Sequence, residues 1–175
     1  MSFDPVGTLD MSTPEAKRAS YALLLAQARA VLEGERDAIA NLAQFAALVF
    51  HAVPGLNWAG FYLARGEELV LGPFQGKVAC VRIPFARGVC GACARSRTAQ
   101  VVPDVEAFPG HIACDSASRS ELVLPVVVDG TLRAVFDLDS PALARFDAED
   151  AEGLGAAVEA LIRATDWGFG VSSSS

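Results

Sequence analysis

Four cysteines, Cys80, Cys90, Cys93 and Cys114, fall within one 35-residue window of a 175-residue chain that has no others. A thiolate can attack an electrophilic sulfur, and a second thiol nearby can condense with the product to a disulfide. Thiolates also bind zinc, and four of them match the count of a structural site. Here only Cys90 and Cys93 form a CxxC pair, while Cys80 and Cys114 stand apart from it, so redox chemistry is the stronger reading and no metal is expected. Buried cysteine also serves as a small hydrophobe, a use that scattering suits better than clustering. His111 precedes Cys114 by three residues, and a loop histidine that packs or is solvated is the simpler account of it.

Carboxylates supply the second group. Asp137 and Asp139 are two apart on an expected strand and therefore share a face. Glu121 starts the strand before them, across Asp129-Gly130. Counting back from that turn, with 128 opposite 131, sets 121 near 138 on the same rim. Trp58 and Tyr62, four apart on another expected strand, also share a face, where aromatic rings either fill a core or line a pocket.

These groups need a scaffold. Thr13-Pro14-Glu15 is a helix start, with Thr13 as cap, Pro14 in the first turn and Glu15 near the positive dipole end. Tyr21, Leu24, Leu25, Ala28 and Leu32 continue it at helical spacing up to Gly34. A second helix is expected from about Arg36 to His51, with Ile39, Leu42, Ala43, Ala46 and Val49 on its apolar face. Strands are expected over 58–63, 69–74, 78–83 and 99–102, and a short helix over 88–95. The segment 103–120, which holds Cys114, is a loop long enough to be functional. Two further strands, 120–128 and 131–138, flank Asp129-Gly130, a two-residue turn of the kind that needs positive φ. The last helix, 147–164, has Asp147 as cap and Asp150 as its acidic third position. The expected organisation is a loose arm at 1–13, one domain over 14–166 and a loose tail at 167–175. The fold class is α+β, with one mostly antiparallel sheet and helices on one face.

Composition narrows the function. The formal net charge is −7, and Asp and Glu outnumber Lys and Arg 21 to 14. Such a chain repels phosphate backbones and anionic lipid headgroups, so neither nucleic acid nor membrane is an expected partner. No apolar run reaches the roughly 20 residues of a membrane-spanning helix. MSFDPVGTLD lacks a signal-peptide pattern, and the expected location is the cytoplasm, where stable disulfide frameworks are rare.

At the cysteines the sequence becomes specific. GPFQGKVACVRIPFARGVCGACA, then VVPDVEAFPGHIACDSASRSELVLPV, then VFDLDSP closely resemble the free methionine-(R)-sulfoxide reductases. The resemblance runs from about Asn57 to Phe146. It implies a GAF domain, with a six-stranded antiparallel sheet flanked by N- and C-terminal helices. It also implies three recurrent cysteines, matched here by Cys80, Cys90 and Cys114, with Cys114 attacking the substrate. Cys93 lies outside the family pattern, which leaves the choice between Cys80 and Cys90 as resolving thiol open. The family's aromatic pocket falls on Trp58 and Tyr62, and its acidic residues on Glu121, Asp137 and Asp139.

The implied reaction reduces free methionine (R)-sulfoxide. Oxide is a poor leaving group, so it must be protonated as it departs, and Glu121 is the expected acid. Three gathered carboxyls also suit the substrate's ammonium group, and the Trp58 and Tyr62 rings its methyl-sulfur end. The expected intermediates are a sulfenic acid and then an intramolecular disulfide, reduced by a thioredoxin- or glutaredoxin-type protein. No cofactor is expected, and a homodimer is an open expectation. The alternative is a non-catalytic GAF sensor of a small ligand or of redox state; a chain of one domain, without an attached output module, argues against it.

Overall fold

Thr13 accepts the Ala16 N–H at 3.1 Å and opens α1 (Pro14–Val31). Asp37 does the same for α2 (Ala38–Ala52), through the Ala40 N–H at 2.9 Å. The computed structural model describes residues 7–110 and 117–168. The chain continues through β1 (Trp58–Arg65), β2 (Glu68–Gly76), β3 (Arg82–Pro84), α3 (Gly88–Ser96) and β4 (Gln100–Val102). It closes with β5 (Ser120–Val128), β6 (Thr131–Ser140) and α4 (Ala148–Ala164). The six strands form one antiparallel sheet in the order β3-β2-β1-β6-β5-β4. No helix among the described residues is long and apolar enough to cross a membrane.

Strand alternation divides the sheet's surroundings into two clusters. On one face Phe61, Leu122, Leu124, Phe136 and Leu138 pack with residues of α1, α2 and α4. Phe45 from α2 meets Phe136 edge-on at 5.2 Å, and Phe61 stacks on Phe136 at 4.6 Å. On the other face Trp58, Tyr62, Val123 and Val135 pack with Val89, Cys90 and Cys93 of α3. Helices therefore lie on both faces, not on one as expected, because α3 also has an apolar side that must be buried.

Asp129 and Gly130 both have positive φ, 50° and 73°, as the hairpin turn requires. A bulge follows: Val127 pairs with Leu132 but Val126 pairs with Ala134, so Arg133 has no partner on β5. This one-residue slip sets Glu121 opposite Asp139, not opposite Leu138 as simple counting gives.

Four other expectations change. Ile39 and Ala43 point to solvent, Ile39 with 55% exposure, so the buried face of α2 is carried by Leu42, Phe45, Ala46 and Val49. The strand expected at 78–83 shrinks to 82–84, and Val78 is 88% exposed. Of the expected arm and tail, the described residues 7–13 and 167–168 include two that are tied to the body. Leu9 is buried and its N–H donates to the Ala52 carbonyl, and buried Trp167 donates to the Ile162 carbonyl. Cys80 lies in the connection between β2 and β3, not on a strand.

Candidate active site

The bulge decides which carboxyls meet. With Glu121 opposite Asp139 and Val123 opposite Asp137, all three acids face the α3 side of the sheet. β1 lies against β6 with Trp58 opposite Asp139, Gly60 opposite Asp137 and Tyr62 opposite Val135. Trp58, Gly60 and Tyr62 thus share that face and lie beside the acids.

Gly60 allows the aromatic residues to close up. A β-carbon there would lie 2.3 Å from the Phe74 Cβ and 2.7 Å from the end of the Trp58 ring. Without it, Trp58 stacks on Phe74 at 5.3 Å and on Tyr62 at 5.7 Å between ring centroids. The polar edges of the rings take hold of the segment after β2. The Trp58 indole N–H donates to the Lys77 carbonyl at 3.1 Å, and the Tyr62 hydroxyl donates to the Cys80 carbonyl at 3.0 Å. The segment from Lys77 to Val81 is not strand, although the Leu71 N–H of β2 still donates to the Val81 carbonyl at 2.9 Å. Sequence reasoning found Trp58 and Tyr62 but missed Phe74 and Gly60. A glycine midway between two aromatics on one strand face was the available signal.

From the other side α3 brings its cysteines down. Its N-terminal turn packs closely, since a β-carbon on Gly91 would lie 2.5 Å from the Phe85 carbonyl oxygen. Cys90 and Cys93 are three apart and both face the sheet, with free, buried thiols. The Cys90 thiol donates to Glu121 Oε1 at 3.8 Å, and the Cys93 thiol to the Val123 carbonyl at 3.7 Å. The Cys90 Sγ and one carboxylate oxygen each of Glu121 and Asp137 lie within 4.8 Å of one another.

Burial governs the electrostatics here. Glu121 is 7% exposed and Asp137 5%. Burial, then the neighbouring Asp137 and Asp139, pushes the Glu121 carboxyl well above its ordinary range. Burial also raises Asp137, to about 6, while hydrogen bonds from Glu121 and Cys90 restrain it. Of the two carboxyls, burial and the neighbouring acids thus favour the proton on Glu121, beside Asp137. The Cys90 thiol is raised strongly by burial and by Asp137 and Glu121, and Cys93 is pushed up to about 12 by burial first. Neither is poised as a thiolate, which is the nucleophilic form. Burial and the same acids raise Tyr62, which keeps its proton for the Cys80 carbonyl.

The fold thus brings together Trp58, Tyr62, Cys90, Glu121, Asp137 and Asp139. Cys80 adjoins this group through the bond from Tyr62 to its carbonyl. Cys114, the expected nucleophile, and His111 lie outside the described residues. The arrangement offers a stacked aromatic wall and, beside it, a cluster of carboxyls of which Glu121 and Asp137 are buried and raised above their ordinary range. It suits a small cationic molecule that needs a proton delivered.

The GAF domain model matches residues 21–164. The free methionine-R-sulfoxide reductase of Escherichia coli is 47% identical over 154 residues, covering 86% of this chain and 93% of that protein. The chain belongs to this GAF-domain family of free methionine-R-sulfoxide reductases. Protein YtsP of Bacillus subtilis is 53% identical over 150 residues, 85% of this chain and 92% of its own length. The X-ray structure of the Neisseria meningitidis free methionine-R-sulfoxide reductase in complex with its substrate superposes with a TM-score of 0.84 at 45% identity. It covers 92% of this chain and 95% of that one. Relatives in this family are thus similar over most of the chain.

Proposed function

We propose that the protein reduces the (R)-sulfoxide of free methionine. The observation that carries this reading is the buried Glu121–Asp137 carboxyl pair beside the stacked Trp58 and Tyr62 rings, in a chain of this reductase family; burial raises Glu121 and so favours a proton there. Asp137 and Asp139 hold the substrate's ammonium group, and the rings enclose its methyl-sulfur end. The Cys114 thiolate attacks the sulfoxide sulfur while Glu121 gives its proton to the departing oxygen. In net balance the oxygen passes to Cys114 as a sulfenic acid, and methionine leaves as the reduced product. The Cys80 thiol then displaces water from that sulfenic acid and forms a disulfide.

Cys80 is the preferred resolving thiol. It is disulfide-bonded, whereas Cys90 and Cys93 are free, and the high proton affinity of Cys90 makes it a poor competitor. A dithiol protein of the thioredoxin or glutaredoxin type, in a reducing compartment such as the cytoplasm, returns both cysteines to thiols. Cys93 stays outside the cycle.

Turnover measured separately on R and S isomers, free and peptide-bound, tests the proposal. Activity on the free R isomer is expected, and its loss in Cys114→Ser with an unchanged thermal melt. No turnover of any isomer by the reduced wild type would leave a ligand-sensing GAF domain. Residual activity above a few per cent in Cys114→Ser would move the nucleophile to another thiol.

A further inference from the structure

Cys90, Glu121 and Asp137 come from three different elements, α3, β5 and β6, and their donor atoms converge on one buried point. The Cys90 Sγ and Glu121 Oε1 are 3.8 Å apart. In a tetrahedral zinc site, with Zn–S about 2.3 Å and Zn–O about 2.0 Å, that separation is roughly 3.5 Å. A shift of a few tenths of an ångström would bring both into register. Asp137 adds a second, independent sign. Its side chain is nearly inaccessible, at 5% exposure, yet its Oδ1 has no hydrogen-bond partner among the described residues. A buried carboxylate oxygen without a donor is costly, and a cation would satisfy it.

We propose that Cys90, Glu121 and Asp137 form an inhibitory site for a thiophilic divalent cation, zinc. The sulfur selects zinc over magnesium or calcium, which take oxygen donors. Three protein ligands leave a fourth position open. Two of the ligands are groups that the proposed reduction also uses, so the inhibitory role rests on that reading. A bound ion takes the place of the Glu121 proton and occupies the seat of the substrate's ammonium, so metal and substrate exclude one another. This site differs from a four-cysteine structural centre, because it uses one thiol and two carboxylates and needs neither Cys80 nor Cys93.

Cobalt(II) is the probe, because a bound thiolate gives it a sulfur-to-cobalt charge-transfer band in the near ultraviolet. The fully reduced protein is titrated anaerobically without substrate. One cobalt per chain is expected, with that band, displaced stoichiometrically by zinc. Cys90→Ser should abolish the band, whereas Cys80→Ser and Cys93→Ser should keep it. Asp137→Asn and Glu121→Gln, which retain the thiol, should keep the band but weaken affinity by about tenfold or more. These two variants guard against misfolding of Cys90→Ser, which a thermal melt checks. A band that survives Cys90→Ser, or vanishes in Cys80→Ser, would assign the metal to other thiols and overturn the proposal, as would the absence of any band. In the assay, zinc should inhibit and added methionine sulfoxide should relieve the inhibition. Inhibition that substrate does not relieve would sink the proposed role. If the wild type shows no turnover at all, the functional reading fails, while the cobalt band still decides the site.

Discussion

Asp150, at the start of α4, is fully buried and takes a hydrogen bond from Tyr21 at 2.6 Å, with Lys17 at 2.8 Å and Arg145 at 3.3 Å. Its other duty is the capping box with Asp147, which closes the first turn of the helix. Glu121 and Asp137 are buried to nearly the same degree on the opposite side of the sheet, yet among the described residues their neighbours are each other, Asp139, the Tyr62 hydroxyl and a thiol, with no cation bonded to either. The first carboxyl is neutralised by fixed cations and ties α1 to α4. The second pair is neutralised by a proton, which can be given away. A buried acid with permanent partners is structural, and one whose partner is a labile proton is available for chemistry.

Exchanging or removing these groups should separate the two cases. The largest effect is expected from Glu121→Gln, which keeps the shape but removes the acid. Turnover should fall by about 10² to 10⁴, the usual contribution of a general acid, with the thermal melt not lowered. Turnover by the wild type should also decline as pH rises through the elevated Glu121 value. A Glu121→Gln rate equal to wild type would assign proton donation to an aspartate.

Next comes Asp150→Ala. It takes the buried carboxylate from Lys17 and Arg145, whose side chains are 11% and 13% exposed, and leaves Lys17 with the half-exposed Asp147 at 2.7 Å and Arg145 with the Pro54 carbonyl. Removing one partner of such a buried cluster costs about 3 to 5 kcal/mol, readable as a lower denaturant midpoint. A loss below about 1 kcal/mol, typical of a surface ion pair, would mean that the cluster is solvated.

Asp137→Asn should act in the opposite direction on stability. Burial raises this carboxyl from 3.8 to about 6, so between those values the folded protein holds more protons than the unfolded chain. Its contribution is then fully present below pH 3.8 and lost as pH climbs to about 6. The amide escapes that loss. The variant should gain stability relative to wild type across this window, on the order of 3 kcal/mol above it, while its KM for the sulfoxide rises. A stability difference independent of pH would contradict the shared-proton account.

The smallest change is Tyr21→Phe. Asp150 keeps both cations, so urea unfolding should show a loss of only about 1 to 2 kcal/mol. A loss as large as that of Asp150→Ala would show that the hydroxyl, not the charges, holds the cluster.

Much of this was readable in the residues. Thr13 and Asp147 cap helices as expected, whereas the cap of α2 is Asp37, inside the helix expected from about Arg36. The two hairpin strands, expected over 120–128 and 131–138, follow from β-rich runs around a two-residue turn, and α3 from its small residues; the second runs two residues further, to Ser140. Spacing alone put Asp137 with Asp139 and Trp58 with Tyr62. Family-like words pointed to Glu121 and to three of the cysteines. Less was readable where one side chain's partner is remote. Val78 and Val81 suggest a strand, but 77–81 is not strand, and the carbonyls of Lys77 and Cys80 accept from Trp58 and Tyr62, almost twenty residues away in sequence. Ile39 suggests the core face of α2, but the helix is turned so that Leu42 and Phe45 take it.

The chain's local chemistry thus determined its caps, turns, most of its strands and the supply of thiols and carboxyls, because those depend on neighbours a few residues apart. The register of β5 against β6 depended on more. Residues 122–128 are apolar on both faces, so alternation cannot tell one register from the next. Counting from Asp129-Gly130 would place Glu121 beside Leu138, among the side chains packed on α1, α2 and α4. The unpaired Arg133 shifts the ladder by one, and a one-residue shift turns every following side chain to the other face. Packing of the whole sheet selects that bulge, since it alone buries Leu122 and Leu138 under the helices while leaving Glu121, Asp137 and Asp139 together beneath Cys90.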